Sequence, residues 1–360
     1  MRPANGRNGR TVRVLSIEGG GIHGIIPAMV LDYIEQQTGR RIGDMFNLMA
    51  GSSTGGILAC ALNTPRGKSK KPANAARELL HLYRDRGPHI FSAPLWDRVT
   101  SINGWIEQLY DHRNLERYLQ AGLKDVWLSD SIADLLVTGY EMEYRVPFFF
   151  KSWKAQGRYL KTRFDMPGKP ETPEFRDFPL WAVARATSAG PTYFEPARIQ
   201  NRAGDEFVFV DGGVFANSPS MCAYISANRI YEKVGRILMV SLGTGQIDRE
   251  NPYRRGKGWG KAQWARPLVN VMMDGAEETV HYQMRTLLGE DQYFRYQIDM
   301  GAFPDGGPGP SDDIGDASPE NIQRLIRKGE MLLREQRARL DLLCETLVED
   351  KDEVGYAVRE

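Results

Sequence analysis

The sequence predicts an α/β layered domain. Short apolar runs stand at 12–17 (VRVLSI), 45–50 (MFNLMA), 146–151 (VPFFFK), 206–210 (EFVFV) and 236–242 (RILMVSL). Helical periodicity fills most of the intervals between them, and glycine-rich turns stand where a run hands over to a helix. At 360 residues the chain is long enough for one large domain or two ordinary ones, and no clear linker divides it.

The elements follow in order. MRPANGRNGR is basic and glycine-rich with no apolar stretch behind it, which predicts a flexible tail over 1–11 rather than a secretory leader. VRVLSI is the first strand. Between 25 and 38, Ile25, Ile26, Met29, Val30, Tyr33 and Ile34 recur at steps of three and four, and Gly39 follows as a stop, so the intervening SIEGGGIHG (16–24) is a strand-to-helix turn. MFNLMA is the second strand, and after GSSTGG it leads into the apolar helix ILACAL (57–62). VPFFFK, EFVFV and RILMVSL are later strands, the second ending at Asp211-Gly212-Gly213. Residues 301–319, GAFPDGGPGPSDDIGDASP, read as a mobile surface loop and a candidate lid. Asp305, Asp312, Asp313 and Asp316 within it lack the order of a calcium-binding loop. Ser318 then caps a helix with Pro319 at its first position and an apolar stripe from Ile322 to Leu347.

A net charge of +1 with 26% charged residues predicts no DNA or RNA partner. Three well-separated cysteines, Cys60, Cys222 and Cys344, predict a reducing compartment. With no run of 18 apolar residues, the expected location is the cytoplasm.

Gly19, Gly21 and Gly24 match the dinucleotide fingerprint G-x-G-x-x-G, which also requires an acidic residue at the end of the second strand. That place holds Gly51-Ser52-Ser53-Thr54-Gly55 instead, a match to G-x-S-x-G, the turn that exposes a nucleophilic serine. The bland alternative is a glycine turn with a helix-capping serine. With a serine nucleophile, the N–H groups of Gly20 and Gly21 acquire a second meaning as an oxyanion hole, a role that shares its physics with phosphate binding. None of the five histidines (His23, His81, His89, His112, His281) occupies the place of a triad histidine. Asp211, at the end of a strand in a tight turn, is the candidate base, provided burial raises its proton affinity; its alternative is a turn residue satisfying its own backbone.

These motifs together resemble the patatin-like phospholipase family. Glu18-Gly19-Gly20-Gly21-Ile22-His23-Gly24, Gly51-Ser52-Ser53-Thr54-Gly55-Gly56 and Asp211-Gly212-Gly213 stand in that family's order, and ARATSAGPTYFEP (184–196) and SLGTG (241–245) are similar to its further blocks. The resemblance implies a three-layer α/β/α sandwich with a largely parallel sheet, the catalytic domain spanning 12–300, with a loop and packed helix over 301–360. It implies Ser53 as nucleophile, Asp211 as base, Gly19, Gly20 and Gly21 as oxyanion site, Gly51 and Gly55 shaping the nucleophile turn, and no metal or organic cofactor. The implied reaction is cleavage of fatty-acyl esters of membrane phospholipids. Glu18 and His23 depart from the Asp and the Arg or Lys usual in the family; His23 is either a neutral neighbour of the anion site or a solvent-facing helix-start residue.

The chain most resembles compact bacterial members, on EGGGIHGIIPAMVL, WARPLVNVMMDGA (264–276) and DDIGDASPENI. Some of these are cyclic-oligonucleotide-activated antiphage (CBASS) effectors, which implies a cyclic di- or trinucleotide activator and peripheral association with the inner membrane when active. RGKSKK (66–71), the Trp96–Trp105 segment and YRRGKGWGKAQWAR (253–266) are candidate membrane contacts. In the last, Arg254, Arg255 and Lys257 would equally meet nucleotide phosphates, with Trp259 stacking on a base. A homo-oligomer is left open. Two rivals stand beside this reading: a dinucleotide-binding oxidoreductase built on the glycine loop, and a catalytically silent lipid- or nucleotide-binding protein.

Overall fold

In the computed structural model, which describes residues 9–90, 110–158, 171–246, 261–349 and 353–357, a single mixed sheet organises the chain. Its strands are β1 (Arg10–Ile17), β2 (Leu48–Gly51), β3 (Asp134–Glu141), β4 (Val146–Lys151), β5 (Ala197–Gln200), β6 (Glu206–Asp211), β7 (Val234–Leu242) and β8 (Tyr293–Tyr296). The spatial order is β5-β6-β3-β2-β1-β7-β8, with β4 paired to β3. The five strands from β3 to β8 are mutually parallel, whereas β4, β5 and β6 add an antiparallel end. The sheet is therefore parallel through its centre only.

Residues of β1 alternate between two cores. Leu15 and Ile17 face one and Val12 and Val14 the other, because successive side chains of a strand point to opposite faces. Helices α1 (Ile25–Thr38), α2 (Thr54–Leu62), α3 (Ala76–Ile90), α4 (His112–Leu123) and α5 (Leu180–Thr187) cover the first face, together with α8 (Pro319–Glu335) and α9 (Arg337–Val348). Helix α6 (Ser220–Ile230) and the end of α7 (Lys261–Leu287) cover the second. The three layers expected from the resemblance are present.

Three local readings change. The run at 45–50 is a helical turn, Ile42–Met45, followed by β2 shifted to Leu48–Gly51. Strand β3 has no counterpart in the sequence reading, because Asp134 and Glu141 bracket its apolar centre. Both acids are buried, and Asp134 is neutralised by Arg158 at 2.7 Å and by the hydroxyls of Tyr231 and Tyr356. The C-terminal stripe is two helices, divided at Gln336. Their start is as expected: Ser318 accepts from the Asn321 N–H at 3.3 Å, with Pro319 first in the helix. At the far end, buried Arg13 donates to the carbonyls of Thr346 and Leu347, satisfying groups that have no partner within the helix.

What places the site is a junction along β3. Strand β2 runs parallel to β3 and ends with Gly51 opposite Val137. Strand β6 runs antiparallel to β3 and ends with Asp211 opposite Gly139. The carboxyl ends of two strands thus meet head-on, separated along β3 by Thr138 alone. The antiparallel side is held by a phenylalanine cluster in which Phe148, Phe150 and Phe209 lie 4.9–5.1 Å apart by ring centroid. Because Phe209 is fully buried beside this junction, Phe209→Ala is expected to cost about 3–5 kcal/mol. Urea unfolding of the variant would then show a lower midpoint.

Candidate active site

Ser53 occupies the turn between β2 and α2 with φ 51° and ψ −124°, a left-handed conformation rare for residues other than glycine. The turn closes so tightly that a Cβ on Gly55 would stand 2.2 Å from the Ile17 carbonyl oxygen. The Ser53 N–H is held by the Thr187 hydroxyl at 2.9 Å. Its side chain makes no capping bond to the helix, so the capping alternative is set aside. The hydroxyl instead reaches the Asp211 carboxylate.

Asp211 is 6% exposed, and burial pushes its carboxyl up to about 6 against the stabilising hydrogen bonds from Ser53 and from the Gly213 N–H at 2.7 Å. The chain turns immediately after it, and Gly212 is needed there: a Cβ would overlap the Thr138 hydroxyl at 2.1 Å. Between α3 and α4 a narrow cavity of about 60 Å³ opens on Ser53 and Asp211, walled by Ile57, Tyr83, Leu115, Leu119, Phe194 and Ile314.

The glycine loop lies on the other side of Ser53. The Gly19 N–H donates to the Asn217 carbonyl at 3.4 Å, the Ile22 N–H to the Ile314 carbonyl at 2.9 Å and the His23 N–H to the Gly20 carbonyl at 3.0 Å. Of the three glycines assigned to the oxyanion site, Gly20 and Gly21 have N–H groups without a hydrogen-bond partner among the described residues, while Gly19 contributes an anchored carbonyl. The Ile314 oxygen would lie 2.2 Å from a Cβ on Gly21, so the space a pyrophosphate would take at this turn is filled.

His23 does not face solvent. It is buried, its Nε2 bonds the Ser311 carbonyl at 3.1 Å, and burial lowers its pKa to about 4, so the ring is neutral at pH 7. The segment that receives it is the loop expected to be mobile, and it is built in instead. Tyr110 donates to the Gly315 carbonyl at 3.1 Å, Tyr193 to Asp313 at 3.2 Å, and Asn321 bonds both the Ser311 N–H and the Asp316 carbonyl. Its aspartates close turns, Asp313 accepting from the Gly315 N–H and Asp316 from the Ser318 N–H.

Glu18 is buried and paired with Arg295 at 2.6 Å. Glu277 on α7 accepts from the Asn217 amide, and its own burial, with the nearby Glu18 charge, pushes its carboxyl up to about 8. Sequence reasoning missed Thr187, Asn217, Thr244 and Glu277. Thr187 and Thr244 sit inside quoted blocks and Asn217 six residues after Asp211, but none bears chemistry that marks it in advance.

RGKSKK is not at the mouth of this site. Helix α2 carries the chain back from Ser53 over nine residues, about 13 Å of rise. Arg66, Lys68 and Lys70 then line a cleft with Asn47 and Asp134 at the opposite, amino ends of β2 and β3. Arg254, Arg255, Lys257, Trp259 and the Trp96–Trp105 segment lie outside the described residues. No helix among the described residues is long and apolar enough to cross a membrane.

The model of the patatin-like phospholipase family matches residues 15–224, more than half of the chain and inclusive of the glycine loop, Ser53 and Asp211. The chain belongs to this family. It is 29% identical to patatin-like protein 2 of Oryza sativa subsp. indica, over 92% of this chain and 86% of the relative, and 29% identical to patatin-like protein 2 of Arabidopsis thaliana, over 93% and 86%. Among solved structures it is similar to human GIVD cytosolic phospholipase A2 in complex with methyl gamma-linolenyl fluorophosphonate, with 12% identity and a TM-score of 0.41, over 95% of this chain and 59% of the other. The activity class is lipid acyl hydrolase, and the oxidoreductase and silent-binder readings give way to it.

The burial of His23 has a pH signature. Its folded pKa, about 4, lies below the 6.5 of the unfolded chain, so between these values the unfolded state binds the extra proton. The stabilisation is complete above pH 6.5 and is lost as pH falls toward 4, amounting to about 3 kcal/mol. Urea midpoints measured from pH 7 to 4.5 are expected to fall more steeply for wild type than for His23→Gln, which keeps a donor and cannot titrate.

Proposed function

We propose that this lipid acyl hydrolase works through a Ser53–Asp211 dyad on fatty-acyl esters of phospholipids. Ser53 Oγ attacks the ester carbonyl carbon while its proton passes to Asp211. The tetrahedral oxyanion accepts hydrogen bonds from the Gly20 and Gly21 N–H groups, with the amino end of α2 adding its positive dipole. Collapse breaks the carbon–oxygen ester bond, and the lysophospholipid oxygen leaves with the proton from Asp211. Water then gives a proton to Asp211 as it attacks the acyl-serine carbonyl carbon, and collapse releases the fatty acid while Asp211 returns the proton to Ser53 Oγ.

The observation that carries this reading is the contact of a strained, accessible serine with a carboxyl whose pKa burial raises to about 6, in the range of a working general base. The apolar walls of the cavity beside them match the chemistry of an acyl chain entering at the ester end. Peripheral membrane association follows from the substrate. Gating by a cyclic nucleotide is the finer part of the proposal, and its support is the resemblance to compact bacterial members.

Fatty-acid release from mixed phospholipid vesicles tests each part. Ser53→Ala is expected to lose activity by about a thousandfold or more, and Asp211→Asn by about 10²–10⁴. Substantial release by Ser53→Ala would sink the dyad. The wild-type rate should rise with pH through about 6, because Asp211 must be unprotonated to accept the serine proton. Adding cyclic di- and trinucleotides to the same assay distinguishes a gated enzyme, silent until one is present, from a constitutive one.

A further inference from the structure

The carbonyl of Gly19 is held at two points. Thr244 donates its hydroxyl to it at 2.7 Å, and Asn217 donates its side-chain Nδ2 at 3.4 Å. Both holders are buried, and they come from different elements: Thr244 follows β7, and Asn217 follows the Asp211 turn. The Asn217 main-chain carbonyl also takes the Gly19 N–H.

The peptide joining Gly19 to Gly20 is planar and trans, so its C=O and N–H point in opposite directions. Anchoring the oxygen toward Thr244 and Asn217 therefore turns the Gly20 N–H away from them. That N–H has no hydrogen-bond partner among the described residues. Close packing adds a second constraint, since a Cβ on Gly20 would stand 2.3 Å from Thr244 Oγ1. Glu277 completes the arrangement. An amide NH₂ has two donor hydrogens, and those of Asn217 go to the Gly19 oxygen and to Glu277 Oε1. A flipped amide would set its oxygen against the Gly19 carbonyl, which cannot donate, so that carbonyl itself selects the amide orientation that holds it.

We propose that Thr244 and Asn217 are positioning residues that set the direction of the Gly20 N–H toward the oxyanion. This rests on the serine acyl hydrolase reading above. Neither side chain touches the reacting atoms. Their effect passes through one peptide plane and belongs to the transition state, because the ester carbonyl carries little charge before attack.

The test compares wild type, Ser53→Ala, Thr244→Val and Thr244→Ser on the same vesicles. Two binding measurements accompany it, one with a long-chain trifluoromethyl ketone, which forms a tetrahedral oxyanion on a serine, and one with a non-hydrolysable ether phospholipid. Thr244→Val keeps the shape and removes the donor. It is expected to lower kcat about ten- to a hundredfold, less than removal of an oxyanion donor itself, with KM changed less than about twofold. Ketone affinity should fall by the same factor as kcat while ether-lipid affinity holds, and Thr244→Ser, which restores the donor, should stay near wild type. If Thr244→Val does not fold, Thr244→Ala against Thr244→Ser makes the same comparison.

Thr244→Val matching wild type while Ser53→Ala is inactive would overturn the positioning role and leave the dyad standing. Equal impairment of Thr244→Val and Thr244→Ser, or a loss confined to KM, would overturn it in favour of packing. Activity retained by Ser53→Ala would overturn the dyad and the positioning role together.

Discussion

The architecture depends on one register. Strand β3 accepts a parallel partner along its first half and an antiparallel one along its second, so β2 and β6 approach each other end to end. A helix start and a tight glycine turn follow at the meeting point, and the side chains at the two strand ends, Ser53 and Asp211, come into contact. An all-parallel sheet would set these carboxyl ends side by side on neighbouring strands. The phenylalanine cluster and the buried, neutralised Asp134 at the other end of β3 serve the same constraint by fixing where β3 stands.

Burial then decides the charge state at that end of the sheet. Asp211, His23 and Glu277 are all shifted toward their neutral forms, and desolvation is the leading cause in each case. For Asp211 the shift raises the carboxyl's affinity for a proton, as the proposed dyad requires of its base. At His23 it removes the positive charge that an arginine or lysine would bring beside the glycine loop, and the ring becomes a strut for the strap at 311–316. That strap is ordered by its own aspartates and by tyrosines from α5's following turn and from the start of α4's approach, and its Ile314 closes one wall of the cavity.

Along β1 the face covered by α6 and α7 changes character. Val12 and Val14 are core residues, whereas Ser16 bonds Ser220 and Glu18 pairs with Arg295. The polar half lies under the glycine loop. Its hydrogen bonds are directional in a way that apolar packing is not, so the polar half fixes the orientation of its groups as well as their spacing.

The local devices were legible in the sequence: the strand-to-helix turns, the tight Gly51–Gly55 turn that carries Ser53, the Asp-Gly-Gly turn and the Ser318 cap, because glycine placement, capping and side-chain periodicity are properties of neighbouring residues. The order of these motifs also sufficed to mark the family. Strand β3 was not legible, since its acids at Asp134 and Glu141 look like loop residues until their partners are known. Nor was the ordered strap, whose glycines, prolines and aspartates have the composition of a mobile loop. The sequence by itself determined which turns form and which side chains stand at their tips. Only the tertiary structure decided which carboxylate meets Ser53, that His23 is neutral and that Thr244 and Asn217 share one glycine carbonyl, because these depend on strand register and on removal from water, which join residues up to 288 positions apart.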